Sequence, residues 1–110
     1  MNDEQIEKIK SAVEAADHIP AEKKAELLES LAKLKPAIAK VSQTHKEDAQ
    51  GIARLLEAST HEATRKEKRA GALKNVLDEL KESIEKFEAS HPKLAELVGE
   101  YSTLLANMGL

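Results

Sequence analysis

The chain has 110 residues, a formal net charge of −3, and 41% hydrophobic against 34% charged residues. That length bounds it to one domain, 1–110, and the apolar share argues against disorder. The near-neutral balance makes no global electrostatic case for a nucleic-acid binder. The absence of cysteine excludes disulfides and thiolate chemistry, and no apolar run approaches the ~20 residues of a membrane-crossing helix.

The apolar share is softer than it looks, because 17 residues are Ala, aromatics make up 2% and Trp is absent. A thin core suits slender helical hairpins or bundles, which bury more surface by associating. The start, Met1-Asn2-Asp3-Glu4-Gln5, is polar and acidic, unlike a signal peptide, so a cytoplasmic protein is the default.

A first helix is predicted from about Asp3 to Asp17. Asn2 and Gln5 have capping-box spacing, and Ile6, Ile9, Val13 and Ala16 form its stripe. His18-Ile19-Pro20 ends it, since the residue before Pro avoids the α region, and Pro20 suits the first turn of the next helix. There the stripe is Leu27, Leu31, Leu34, Ile38 and Val41, stepping 4, 3, 4, 3. Pro36 interrupts it at a cost of ~3 kcal/mol, yet the phase is unbroken, which predicts one kinked helix over a pair divided between Leu34 and Pro36. Thr44-His45-Lys46-Glu47 has capping-box spacing and restarts the chain as a third helix, with Ile52, Leu55 or Leu56, and Ala58 inward. From Glu57 to Arg69 large apolar residues vanish, and Ser59, Ala63 and Ala70 alone hold the phase. Over 49–88 the chain is either one long helix, which propensity favours, or broken at Ser59-Thr60 or Gly71.

The C-terminal stretch, 70–110, carries the clearest pattern. Leu73, Leu77, Leu80, Ile84 and Phe87 form one ladder, and Leu94, Val98, Tyr101, Leu105 and Met108 form another. Between them Ala89-Ser90-His91-Pro92 breaks the chain, with Ser90 or His91 as cap and Pro92 in the first turn of the last helix. The two ladders are expected to fold together as a hairpin around which 1–69 is arranged. Gly109 stands where a left-handed C-terminal cap belongs, with Leu110 folding back onto the helix.

The segment Phe87-Glu88-Ala89-Ser90-His91-Pro92-Lys93-Leu94, with Met108-Gly109-Leu110 at the end, resembles a small family of uncharacterised bacterial helical proteins, a domain of unknown function. The likeness covers roughly the last third of the chain. It implies a bacterial helical protein and transfers no activity or catalytic residue.

Candidate sites are few. His91, at the hairpin tip, is either a ligand contact or a turn residue, and cap chemistry favours the turn. His18, His45, His61 and His91 include no pair three or four residues apart, so no helix turn presents two metal ligands, and no metal or other cofactor is expected. Arg65, Lys66, Lys68 and Arg69 make the one basic cluster. Glu62–Lys74 holds five positive and two negative residues, and Asn75–Leu110 three positive and seven negative. One copy's middle could therefore steer onto another's hairpin. Without aromatics to stack on bases, nucleic acid is the lesser reading. No Ser/His/acid order or phosphate loop appears, which predicts no enzyme. Tyr101 is expected in the core with its hydroxyl at the rim.

Together these features predict an all-α fold, an elongated antiparallel hairpin or bundle of four to five helices with coiled-coil-like packing. The expected role is a non-enzymatic interaction or scaffolding protein, a homo-oligomer or partner-helix binder working through apolar faces. A binder of nucleic acid or anionic surfaces through 65–69 is the alternative.

Overall fold

The computed structural model describes residues 2–109, with side chains from 4 to 108. The chain forms five helices: α1 (Asn2–Ala15), α2 (Ala21–Ser42), α3 (Lys46–Ala63), α4 (Ala72–Glu85) and α5 (Pro92–Gly109). Each connection reverses the chain, giving an up-down-up-down-up bundle of 38 × 24 × 20 Å. Among the described residues no helix is long and apolar enough to cross a membrane.

The stripes meet in one core. Ile6, Ile9 and Val13 of α1, all five rungs of α2, and Leu73, Leu80, Ile84 and Phe87 from the α4 side are buried there with Leu94, Val98, Tyr101 and Leu105 of α5. Leu77 and Met108 are half-buried and pack against it, and Leu97, outside the predicted ladder, is buried. At ~1.5–3 kcal/mol for each large side chain removed from water, this core holds the bundle together. None of the large apolar side chains described is exposed.

The helix at the centre is not in the C-terminal hairpin. α3 touches all four other helices, whereas α4 packs chiefly on α3 and α5 chiefly on α2. The two C-terminal ladders adjoin each other but contribute to a shared core instead of forming a self-contained zipper. The reason lies in the α3 side chains. Ala49, Ala53, Ser59, Thr60 and Ala63 are all buried beside Ile52 and Leu56, and their small size lets neighbouring helices approach from several sides. Of the predicted inner face, Leu56 is buried, Leu55 half-buried and Ala58 exposed.

As its phase predicts, α2 continues through Pro36 as one helix, and Pro36 is exposed, so the lost hydrogen bond falls on the solvent side. Other local expectations are corrected. Pro20 stands one residue before α2 in extended conformation, and its carbonyl accepts the Lys24 amide at 3.1 Å. The Thr44 capping box does not form. Thr44 Oγ1 lies 2.8 Å from His45 Nδ1, and His45 occupies the N-cap of α3 without a side-chain capping bond. Pro92 opens α5 as expected. The caps assigned to Asn2 and to Gly109 with Leu110 fall outside the residues whose side chains are described.

The favoured single helix over 49–88 is also overturned: α3 ends at Ala63 and α4 begins at Ala72. Thr64 Oγ1 takes the Thr60 carbonyl at 2.8 Å, and Gly71 turns the chain into α4 at φ 75°, in the left-handed region that favours glycine. Propensity differences of a few tenths of a kcal/mol per residue cannot hold the helix straight. Folding back buries Leu73, Leu80, Ile84 and Phe87, each worth several times as much.

Candidate functional site

The basic segment lies in the turn after α3. Glu62, on the last turn of α3, is 6% exposed. Arg69 folds back seven residues to meet it, with Nε donating to Oε1 at 3.1 Å and Nη2 donating to Oε2. Arg65 Nε stands 3.9 Å from the same carboxylate. The hydrogen bond from Arg69 holds the Glu62 carboxyl below the usual carboxylate range, with burial opposing it, and the same bond raises Arg69.

The other cations are similarly engaged. Arg65 Nε donates to the Glu67 carbonyl at 3.2 Å, and Nη1 lies 3.4 Å from His61 Nε2. Lys68 Nζ donates to the Ala63 carbonyl, capping α3. Lys66 lies 4.0 Å from Asp17 of the α1–α2 turn, an exposed pair of small energetic weight. All four predicted cations thus have partners within the chain, and none sits on a helical stripe.

His91 lies at the opposite end of the bundle, half-buried beside Phe87 and His45. Ring centroids are 5.6 Å apart for His45–Phe87, 6.0 Å for Phe87–His91 and 6.3 Å for His45–His91. The three rings staple the α2–α3 turn to the α4–α5 turn, at ~0.5–1.5 kcal/mol per aromatic contact. The backbone of His91 is also part of the turn: its amide donates to the Phe87 carbonyl at 2.7 Å and its carbonyl accepts from Ala95 at 3.2 Å. Spacing rules could not anticipate His45 beside His91, since two separate turns bring them together. Among the described residues no group of three or more His, Asp or Glu assembles as metal ligands.

A cleft lies between α1 and α3, and neither helix contributed to the predicted site. It encloses about 400 Å3 and is lined by Lys8, Ile9 and Ala12 of α1 with Arg54, Ala58 and His61 of α3, Glu57 and Thr60 completing the wall. The gap exists because Ala12 and Ala58 leave the outer edge of the α1–α3 contact unfilled. Thr60 offers its hydroxyl elsewhere, to the Leu56 carbonyl at 2.8 Å and to Tyr101 Oη at 2.6 Å. The Tyr101 hydroxyl is therefore buried in the core and not at the rim, and burial raises its pKa above the ordinary phenol value. Lys8 and Arg54 are exposed, and neither has a carboxylate within ion-pair distance among the described residues. With Glu57 in the same wall, Lys8 and Arg54 leave the cleft a modest excess of positive charge beside Ile9, Ala12 and Ala58. The only sequence signal for it was alanine at the outer edge of both helices.

No curated protein and no solved structure matches the chain. A family model does match, that of a domain of unknown function (DUF4404), over residues 27–110. The match takes in most of α2 and all of α3, so it reaches well beyond the last third of the chain that carries the resemblance. With well over half its length matched, the chain belongs to the DUF4404 family of domains of unknown function.

Proposed function

We propose that the chain is a non-enzymatic helical interaction module whose docking face is the α1–α3 cleft, and that its partner presents an acidic helix. The observation that carries this reading is the excess of positive charge in the cleft, Lys8 and Arg54 against Glu57, with neither cation in an ion pair among the described residues, beside small and apolar side chains. A shallow groove between two helices accepts a third helix along its length, and the cations select for carboxylates. The apolar stripes are consumed inside the bundle, so association works through charge and shape instead of the surplus apolar surface anticipated from composition. Exposed ion pairs contribute ~0.2–1 kcal/mol each, which makes the contact weak, reversible and sensitive to salt.

The test is a titration of the isotope-labelled chain with a synthetic amphipathic helical peptide carrying Glu on one face, followed by amide chemical shifts. Shifts clustered on Lys8, Ala12, Arg54 and Ala58, weakened by salt and lost in Lys8→Glu/Arg54→Glu, support the reading. No shifts, or shifts confined to 64–71, refute it. A parallel heparin-retention assay addresses the turn cations. Retention abolished by neutralising Arg65, Lys66, Lys68 and Arg69 would favour a polyanion partner instead.

A further inference from the structure

Four of the five helices close on themselves without α1. α2 packs on α3, α3 on α4, α4 on α5 and α5 back on α2, with α3 and α5 also touching across the middle. That ring is a complete antiparallel four-helix bundle. Among the described residues α1 packs only on α2 and α3, in the groove between them on the outside of the ring. The family match covers the ring from Leu27 onward and starts beyond α1. Taking away any other helix opens the ring, whereas α1 can leave with the ring intact.

The hold of α1 on its groove is narrow. Three aliphatic side chains, Ile6, Ile9 and Val13, are buried. A cleft flanks the helix on each side, about 400 Å3 against α3 and about 310 Å3 against α2, where Ile6 meets Leu28 and Leu31. The polar ties to the ring lie at the surface. Glu7 stands 3.6 Å from Lys35, Lys24 Nζ donates to the Glu14 carbonyl at 3.1 Å, and Asp17 of the connecting turn stands 4.0 Å from Lys66. Such exposed contacts contribute little. The connection to α2 is residues 16–20, in which Pro20 is extended at φ −55° and ψ 144°. Ile19 precedes this proline and so avoids the α region, which keeps α1 from fusing with α2 into one rigid rod.

We propose that α1 is a separable latch that leaves its groove while the α2–α5 ring stays folded, and that the helix which replaces it is the α1 of a second copy, the two chains exchanging α1 reciprocally. The fit of this occupant is the one seen within the chain. A foreign helix would have to reproduce the 3, 4 spacing of Ile6, Ile9 and Val13 together with the match of Glu7 to Lys35. Exchange keeps every apolar rung covered and asks only that the connection straighten. Five extended residues reach about 17 Å, enough to cross between two copies whose α2 starts face each other. The exchanged pair rebuilds each α1–α3 cleft from two chains, so the inference stands apart from the acidic-helix reading.

The chain has no cysteine, so introduced cysteines report alone. Ala12 and Ala58 are exposed and line one cleft from α1 and α3. Full-length Ala12→Cys and isotope-labelled Ala58→Cys chains are mixed at ~1 mM, where even weak exchange is populated, and sampled with a short bismaleimide. Mass spectrometry is expected to find the interchain 12–58 product well above a control in which Ala89→Cys, in the exposed turn before α5, replaces Ala58→Cys. Val13→Ala removes two methyl groups from the latch and speeds the product's appearance about tenfold or more. It leaves the final level unchanged, because the same contact is weakened in the closed and the exchanged forms. Circular dichroism checks that this variant stays helical. Hydrogen exchange on the wild type is expected to show the α1 amides opening together and faster than those of α3 and α5. Both cysteines in one chain, once cross-linked, remove that faster opening. An α1 as protected as α3 and α5, or an α1 that opens only together with α4 and α5, overturns the latch. A 12–58 yield no higher than the control, or a rate indifferent to Val13→Ala, overturns the second copy as occupant. Acidic-peptide binding persists in all these cases if the cleft reading holds, so the two readings fail separately.

Discussion

The buried pair Thr60–Tyr101 yields a prediction whose sign depends on which hydroxyl is the donor. Thr60 Oγ1 lies 2.8 Å from the Leu56 carbonyl and 2.6 Å from Tyr101 Oη. A carbonyl only accepts, so the single Thr60 proton goes to Leu56 and Tyr101 donates to Thr60. Tyr101→Phe then removes one donor and leaves Thr60 bonded to Leu56, at a cost of ~0.5–1.5 kcal/mol. Thr60→Val keeps the shape but strands the Tyr101 hydroxyl, fully enclosed in the core, at ~1–3 kcal/mol. In the double variant nothing is stranded, so it should be more stable than Thr60→Val alone. Urea unfolding followed by circular dichroism measures the cycle, and ~1 kcal/mol corresponds to about 4 °C in melting temperature for a chain of this size.

The same pair predicts an alkaline signature. Burial raises the Tyr101 pKa in the folded state, so the unfolded chain gives up this proton first. The stability it contributes is complete below the ordinary phenol value of about 10 and declines as pH rises above it. The difference between wild type and Tyr101→Phe isolates this effect from lysine titration. An additive cycle, with Tyr101→Phe costing at least as much as Thr60→Val and no divergence at high pH, would refute the assigned hydrogen-bond direction.

Other consequences are checked by the same melts. The Glu62 carboxyl is depressed by Arg69, so its contribution is present above the ordinary carboxylate value near 4.5 and lost as pH falls through its lower folded value. Glu62→Gln should therefore melt lower than wild type at neutral pH, with the gap closing in acid, and a gap independent of pH contradicts the clasp. Gly71 and Gly99 both have room for a Cβ, but only Gly71 has positive φ. Gly71→Ala should cost ~1–2 kcal/mol, whereas Gly99→Ala inside α5 should gain ~0.5–1 kcal/mol, and equal effects would place the turn elsewhere. Val98→Asp, at 1% exposure, should unfold the bundle, whereas Leu77→Asp, half-buried, should only lower its melting temperature. Similar losses in both would put α4 in the wrong rotation.

Periodicity alone determined that this chain is helical and which face of each helix is greasy. The rungs Leu27, Leu31, Leu34, Ile38 and Val41 are all buried, and α2 carries through Pro36 because its phase does. Such a pattern is local, since a helix repeating every 3.6 residues must place those side chains on one side whatever it later meets. Which greasy face meets which was decided only in three dimensions. α3 reads as the weakest stripe because a helix enclosed on several sides needs small residues, and small residues carry little hydrophobic signal. Arg65–Arg69 read from the sequence as one basic cluster, whereas the turn at Thr64 brings Arg69 back to Glu62. The α1–α3 cleft depends on what two separate helices leave unfilled. The sequence of either helix alone carries no record of its neighbour's missing bulk, so the candidate docking face emerges only once the helices are packed.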